Sequence, residues 1–546
     1  MLHYKEETKK RGIFRLLAFG KRHAAGLLVL LVVLAGILAT VKILTDRKVS
    51  SDHNTDEEVG YEDSHTVYLA MYEPLATNVY QSSDEDIVWL NSLVYSSLFR
   101  LDDQLKPVED LVASYTTDPD AGTCSLELRA DGKFSDGSNL TADDVAASVR
   151  AIQRIGASSP YYNYASKIES VECVDDYHLV LHFLSVSDAA LSNLTFPITS
   201  AGSYRSDENF SLGTGPYSYQ EHVTGQYISL IPNPYFYGKV PDTDLKVLAV
   251  KNKAFVPGLM TMDAVTVWMS RDPDADLLAS DKNLLCHKIT SGEAEYLGFQ
   301  TQHPILSKSA CRLAIAKAID REEIIKSDYG ESAVLSDSLY YPAFLGLPED
   351  HSLDYNTKQA LELLNSQGLS DSNGDGFLED EEGNKINLRL LVRAKPQNRR
   401  EAAESIARYL ERIGLACQVE ALEDADFTAR FQSGDFDIYL GGFSADPKFD
   451  LRFLFAPDNP IHYQNDLLSE QLDHLASCRS AEEEMALFSA LKTSLNKEVP
   501  YYCLCYKQYA LLTVPGFTGE IRACFYDPYR DGNLWTWKKR VPPRKE

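Results

Sequence analysis

Residues 371 to 382, DSNGDGFLEDEE, put oxygen-bearing side chains at alternate positions ahead of a glycine. Asp371, Asn373, Asp375, Gly376 and Glu382 fall in the register D-x-[DN]-x-[DN]-G-x5-E, Phe377 offers a backbone carbonyl at the seventh position, and Leu378 fills the apolar eighth. Hard oxygen donors around a sharp glycine turn are what a calcium ion requires. A helical pattern precedes the loop and the strand-like INLRLLV follows it, so a calcium ion here would be structural and the site would not be a paired helix-loop-helix. The same residues also read as an acidic turn, and both readings stay open.

Other reactive residue types lack a setting for chemistry. His178 and His182 lie four apart on a strand pattern and share a face, which fits a surface or packing role. Ser494 and Lys497 match SxxK outside the context that gives that motif meaning. Cys503 and Cys505 alternate through a strand, so the pattern predicts two buried thiols on one side of it. HExxH, P-loop and GxSxG motifs are absent, and nine cysteines in 546 residues make neither a disulfide framework nor CxxC pairs. The chain reads as a binding protein that needs no cofactor, not as an enzyme.

The elements around these residues alternate between strand and helix. CSLELRA (124–130) and HLVLHF (178–183) alternate as half-buried strands. Thr141 with Asp144 forms an acidic capping box ahead of the stripe Val145, Val149, Ile152, and Asp320 with Glu323 repeats that signal. EAAESIARYLERIG (401–414) sets Ala402, Ile406, Leu410 and Ile413 on one face and stops at Gly414 before the strand pattern LACQVEAL. The fold class is therefore α/β in more than one lobe, with no Pro, Gly or Ser linker between lobes.

Charge and hydropathy divide the chain. Residues 1–48 hold 10 Lys or Arg and 3 Asp or Glu, leaving 43 against 77 in the rest, so nucleic acid is excluded as a partner. From Ala24 to Val41 eighteen residues carry no charge, and seven bases precede them. This predicts a cytoplasmic basic segment (1–23), a single transmembrane signal anchor (24–44) and an extracellular remainder at the cell membrane. Cleavage as a signal peptide is the rival reading, but no small-x-small site follows the apolar run. Residues 45–64 are polar, with six acids and no base from 49 onward, and read as a disordered acidic stalk.

Eight segments then carry a resemblance. They are LNSLVYSSLFRLDDQLKPVEDLVASY (90–115), LRADGKFSDGSNLTADDVAASV (128–149), GTGPY (213–217), NPYFYG (233–238), CRLAIAKAIDREEII (311–325), QALELLNSQG (359–368), GDFDIYLGGFSADP (434–447) and LNKEVPYYCLCY (495–506). In this order, from about residue 66 onward, the chain resembles the bacterial extracellular solute-binding proteins of family 5, the oligopeptide and dipeptide receptors of ABC importers. The resemblance implies a two-lobed periplasmic-binding-protein-like clamp of type II with an extra domain, placed here after an N-terminal transmembrane helix. Lobe I would combine 65–98, 191–297 and 500–546, the appended domain 99–190, and lobe II 298–499. The crossings would run through Gly298 to Gln302 and Val499 to Tyr502.

The resemblance also implies a site. In GGFSADP, Asp446 matches the acid that pairs with the α-amino group of a bound peptide, since an ammonium leaving water needs a fixed opposite charge. Its bland reading is a turn residue before proline. Phe443 stands where the family usually has Trp. Peptide backbones would pair with strand edges at Tyr68 to Tyr72 and Gly441 to Ser444, and Tyr501 and Tyr502 would line the cleft. The implied partners are a peptide ligand and ABC permease subunits, with a monomeric ectodomain. A surface sensor or adhesion module using the same clamp without transport is the alternative.

Overall fold

Two long segments, Leu285–Phe299 and Tyr501–Thr513, pair as antiparallel strands and pass through both halves of the protein. The computed structural model describes residues 60–72, 77–184, 188–205, 210–445, 447–475, 478 and 481–541. The basic segment, the expected anchor at 24–44 and the stalk up to residue 59 lie outside the described residues. At the end of the expected stalk, Gly60–Ser64 is a strand and not solvated coil. Among the described residues no helix is long and apolar enough to cross a membrane. Residues 63–539 make one compact unit, which contains both lobes and the cleft between them.

One mixed sheet runs through that unit. Its strand order is Ala416–Leu422, Asn387–Arg393, Ile438–Ser444, Leu285–Phe299, Tyr501–Thr513, Val267–Ser270, Thr66–Tyr72, Asp244–Val250, Tyr227–Pro232 and Tyr217–Val223, with Ala333–Val334 added beside Tyr501–Thr513. In the first lobe Ile289, Tyr509, Leu511 and Leu512 pack into one core with Val67, Leu69 and Leu245. In the second, Leu297, Phe299, Tyr502 and Leu504 pack on one face of the sheet, and Ala294, Tyr296, Tyr501 and Tyr506 on the other.

The crossing lies elsewhere than the resemblance implied. The ladder keeps register from Leu285 opposite Thr513 to Thr290 opposite Gln508, breaks, and resumes with Ala294 opposite Tyr506. The lobes therefore meet near residues 290–294 and 506–508, because 294–299 and 501–506 already bury their side chains in second-lobe cores. A second irregularity sets Glu295 opposite Cys505 but Tyr296 opposite Cys503, so Leu504 is an extra residue. Both thiols are buried as expected, yet the bulge turns them to opposite faces, and burial pushes the Cys503 thiol up to about 12.

The local signals account for the remaining elements. Asp144 Oδ2 accepts the Thr141 amide at 2.9 Å, and the helix Ala142–Ile155 buries Val145, Val149 and Ile152. The appended domain is an antiparallel sheet in the order Val112–Asp118, Thr123–Leu128, His178–Phe183, Ile168–Cys173, with Cys124, Leu126, Leu179 and Leu181 inward. The helix Gln397–Arg412 begins earlier than its apolar stripe suggests. It buries Ala402, Ile406 and Leu410, and after it the chain turns at Gly414 (φ +83°). It joins the parallel strands Asn387–Arg393 and Ala416–Leu422 as a βαβ unit. GTGPY and NPYFYG interlock: the Gly215 amide donates to the Val94 carbonyl at 2.9 Å, and Asn233 Nδ2 donates to the Gly215 carbonyl at 2.9 Å. A β-carbon on Gly215 would stand 2.7 Å from the Val94 oxygen.

Candidate functional site

Where the two strands cross between lobes, a cavity of about 710 Å³ opens, a size that suits one small ligand. Its walls come from three places. The first lobe supplies Trp89, Asn91 and Ser92 at the end of the helix Glu85–Asn91, together with the C-terminal segment around Tyr526, Asp527 and Arg530. The appended domain supplies Asp102, Asp110 and Tyr161, and the second lobe Ser444, Ala445 and Pro447. The appended domain also touches the second lobe directly, since the Leu345 amide donates to the Gln104 carbonyl at 2.8 Å.

Ser444 lies on the cavity wall, and so do the neighbours of Asp446, which itself lies outside the described residues. The edge expected at Gly441 to Ser444 is partly present. Glu293 to Tyr296 pair with it on one side, while Asn387–Arg393 reaches only as far as Leu440 on the other. Gly441 is buried, pressed between Tyr439 and Tyr296, and Phe443 packs on Tyr296 and Phe453 at centroid distances of 5.5 and 5.6 Å. Neither lines the cavity.

Four tyrosines also depart from expectation. The strand Thr66–Tyr72 is interior: Asp244–Val250 pairs with it along its length and Val267 pairs with Leu69 on the other side, so no edge is open for a peptide at Tyr68. Tyr68 is half-buried against Trp537. Tyr72, 44% exposed, lies on a second cavity of about 760 Å³ that adjoins the first at Glu85. There Lys253 Nζ sits 4.6 Å from its ring centroid. Tyr501 donates its hydroxyl to the Leu454 carbonyl at 2.8 Å inside the second lobe, and Tyr502 is fully buried. Both are core residues because alternation along 501–504 sends each into one of the two second-lobe cores.

The electrostatics concentrate at two places. Asp110 accepts the Tyr237 hydroxyl at 2.5 Å, and burial raises its carboxyl above the ordinary value against the pull of that bond. At the crossing, Glu295 has 0% exposure and is held by Arg399 at 2.6 and 2.7 Å and by Lys507 at 2.8 Å. Burial works against charge on Arg399 and Lys507, yet the glutamates beside them keep both pKa values above the ordinary ones. Sequence reading missed Asp110, Asp527 and Arg530, whose separation from Ser444 along the chain hides their convergence. The one local cue was the Asp-Pro turn at 527.

The acidic loop closes on a different acid from the one its motif predicted. Asp371 Oδ1 accepts the Gly374 amide at 2.7 Å and its Oδ2 the Gly376 amide at 3.0 Å, while Asp375 Oδ1 accepts the Phe377 amide at 2.9 Å. Ligand oxygens of Asp371, Asp375 and Glu379 lie within 4.8 Å of one another. Glu379, 2% exposed, accepts the Ser372 amide at 2.7 Å and Asn373 Nδ2 at 2.7 Å. Glu382 instead donates its amide to Asp380 in the next turn at 3.0 Å, because the chain folds back there and pairs Glu379 with Lys385. A hard cation held here would take the three clustered carboxylates and not Glu382. His178 and His182 do share an exposed strand, each beside its own acid, Asp175 at 2.9 Å and Glu172 at 3.6 Å.

The model for the bacterial extracellular solute-binding proteins, family 5 Middle, matches residues 106–460. The oligopeptide-binding protein AppA of Bacillus subtilis is 24% identical over 468 residues, covering 80% of this chain and 84% of that protein. The nickel-binding periplasmic protein of Escherichia coli is 22% identical over 481 residues, 81% of this chain and 88% of that one. Among solved structures, the periplasmic murein tripeptide-binding protein MppA, in an unliganded open form, superposes with a TM-score of 0.75 at 15% identity, covering 88% of this chain and 99% of the other.

Proposed function

The chain belongs to the bacterial extracellular solute-binding proteins, family 5, and on that premise we propose that it captures short peptides between its lobes and delivers them, unaltered, to an ABC permease. The observation that carries this reading is the cavity of about 710 Å³ at the lobe crossing, with walls from both lobes. The name of the Bacillus relative supports oligopeptides as the ligand class. The uncharged run from Ala24 to Val41 supports tethering at the membrane with the clamp outside the cell. Asp446, flanked by cavity residues, takes the peptide's α-ammonium in this reading.

A thermal-shift screen of the full chain against short peptides and nickel-histidine tests it. Peptides raise the melting temperature in proportion to their occupancy. Stabilisation by the metal chelate alone would overturn the peptide assignment. Asp446→Ala weakens peptides with free amino termini far more than acetylated ones, and equal losses would reject that residue's role.

A further inference from the structure

Asp527 stands on the first-lobe wall of the cavity, to which the second lobe contributes Ser444, Ala445 and Pro447. Its Oδ1 lies 2.7 Å from Ser92 Oγ. The same hydroxyl lies 2.8 Å from the Trp89 carbonyl and has one proton to give, so the carboxylate at best shares that donor. The arginines next to it along the chain are turned to other acceptors. Arg530 binds Asp103 at 2.6 Å and the Leu101 carbonyl at 2.7 Å, and Arg522 binds Asp531 at 2.7 Å. Among the described residues no Lys, Arg or His nitrogen comes within ion-pair distance of Asp527. Asp527 is half-buried, a carboxylate partly withdrawn from water with no cation in contact is costly, and burial raises its pKa above the ordinary value against the Ser92 hydroxyl, the charge of Arg530 and the Tyr529 amide.

We infer that Asp527 is a specificity-determining residue of the cleft, which accepts the ammonium or guanidinium of a Lys or Arg side chain in the bound peptide. The inference rests on the peptide reading given above and adds a second cation to it. An arriving cation supplies a partner in direct contact, where Arg530 acts only from longer range, and Tyr161, also on the cavity wall, offers apolar surface to the stem of the side chain.

The test is calorimetry on the full chain with matched short peptides that differ at one position between Lys, Arg, norleucine and citrulline, each with a free and an acetylated amino terminus. At one position the wild type prefers Lys or Arg by about tenfold or more, as a charge-assisted hydrogen bond provides. Asp527→Asn abolishes that preference, because it weakens the Lys and Arg peptides by about tenfold more than the norleucine and citrulline peptides. Asp527→Glu, which keeps the charge, retains part of it. The wild-type comparison needs no variant to fold, and equal affinity for charged and neutral peptides at every position would overturn the inference while leaving peptide capture intact. So would a loss in Asp527→Asn that follows the free amino terminus and not the side chain. No binding of any peptide by the wild type would remove the peptide reading and this inference with it.

Discussion

Glu295 has no exposed surface and meets two cations, Arg399 and Lys507, at the point where the strands leave one lobe for the other. Arg399→Ala removes the bidentate partner and leaves the buried acid with Lys507 alone, so it costs up to about 3–5 kcal/mol, measured by urea unfolding. Glu293 nearby behaves differently. Burial opposes its charge, but Tyr509 and Lys507 hold its pKa below the ordinary 4.5. A folded-state pKa below the unfolded one gives stability that is present above 4.5 and lost as pH falls through the lowered value. Glu293→Gln therefore narrows the gap in melting temperature between neutral and acidic buffer, and an unchanged gap would refute this. Neighbouring residues of GTGPY diverge in the same way. Gly215→Ala presses a methyl onto the Val94 oxygen and costs about 1–3 kcal/mol, whereas Thr214→Val removes a buried hydroxyl that has no hydrogen-bond partner among the described residues and leaves stability unchanged or raised.

At the scale of elements, much of the fold was legible where pattern and partner are local. The capping box at Thr141, the alternation of 124–130 and 178–183, and the stripe ending at Gly414 appear as read, because a helix stripe or a strand face is fixed by its own periodicity. The crossing was not legible. A single extra residue at Leu504 inverts which face Cys505 occupies, and a break at 291–293 moves the lobe boundary, yet neither leaves a Gly or Pro signature specific enough to locate it. The interior place of Thr66–Tyr72 was equally hidden, since its neighbours come from 244–250 and 267–270, far along the chain. Of the cavity wall, Ser444 is a position the resemblance names, while Asp527 and Asp110 are not, because only the tertiary fold brings their segments to one cavity. The break predicts a dynamic consequence. The amides of Ser291 and Gly292, outside both paired registers, exchange hydrogen faster than those of Tyr296 to Phe299, and uniform protection along the strand would contradict a hinge there.

For the whole molecule, charge is the dominant property. Beyond residue 48 the acids outnumber the bases by 77 to 43, so the field around the cleft draws cationic ligands and repels anionic ones. Association of a Lys-containing peptide slows as salt rises past physiological strength, where screening acts over about 8 Å, while a neutral peptide of equal length shows little change. On the proposed function, a peptide enters the space between two lobes joined at a two-strand crossing and leaves chemically intact. Calorimetric titration of the full chain with short peptides, followed by mass spectrometry of the peptide recovered from the complex, tests it in one pass. Saturable binding with one peptide per chain and an unchanged peptide mass is the predicted result; absence of heat with every peptide, or recovery of fragments, would contradict it.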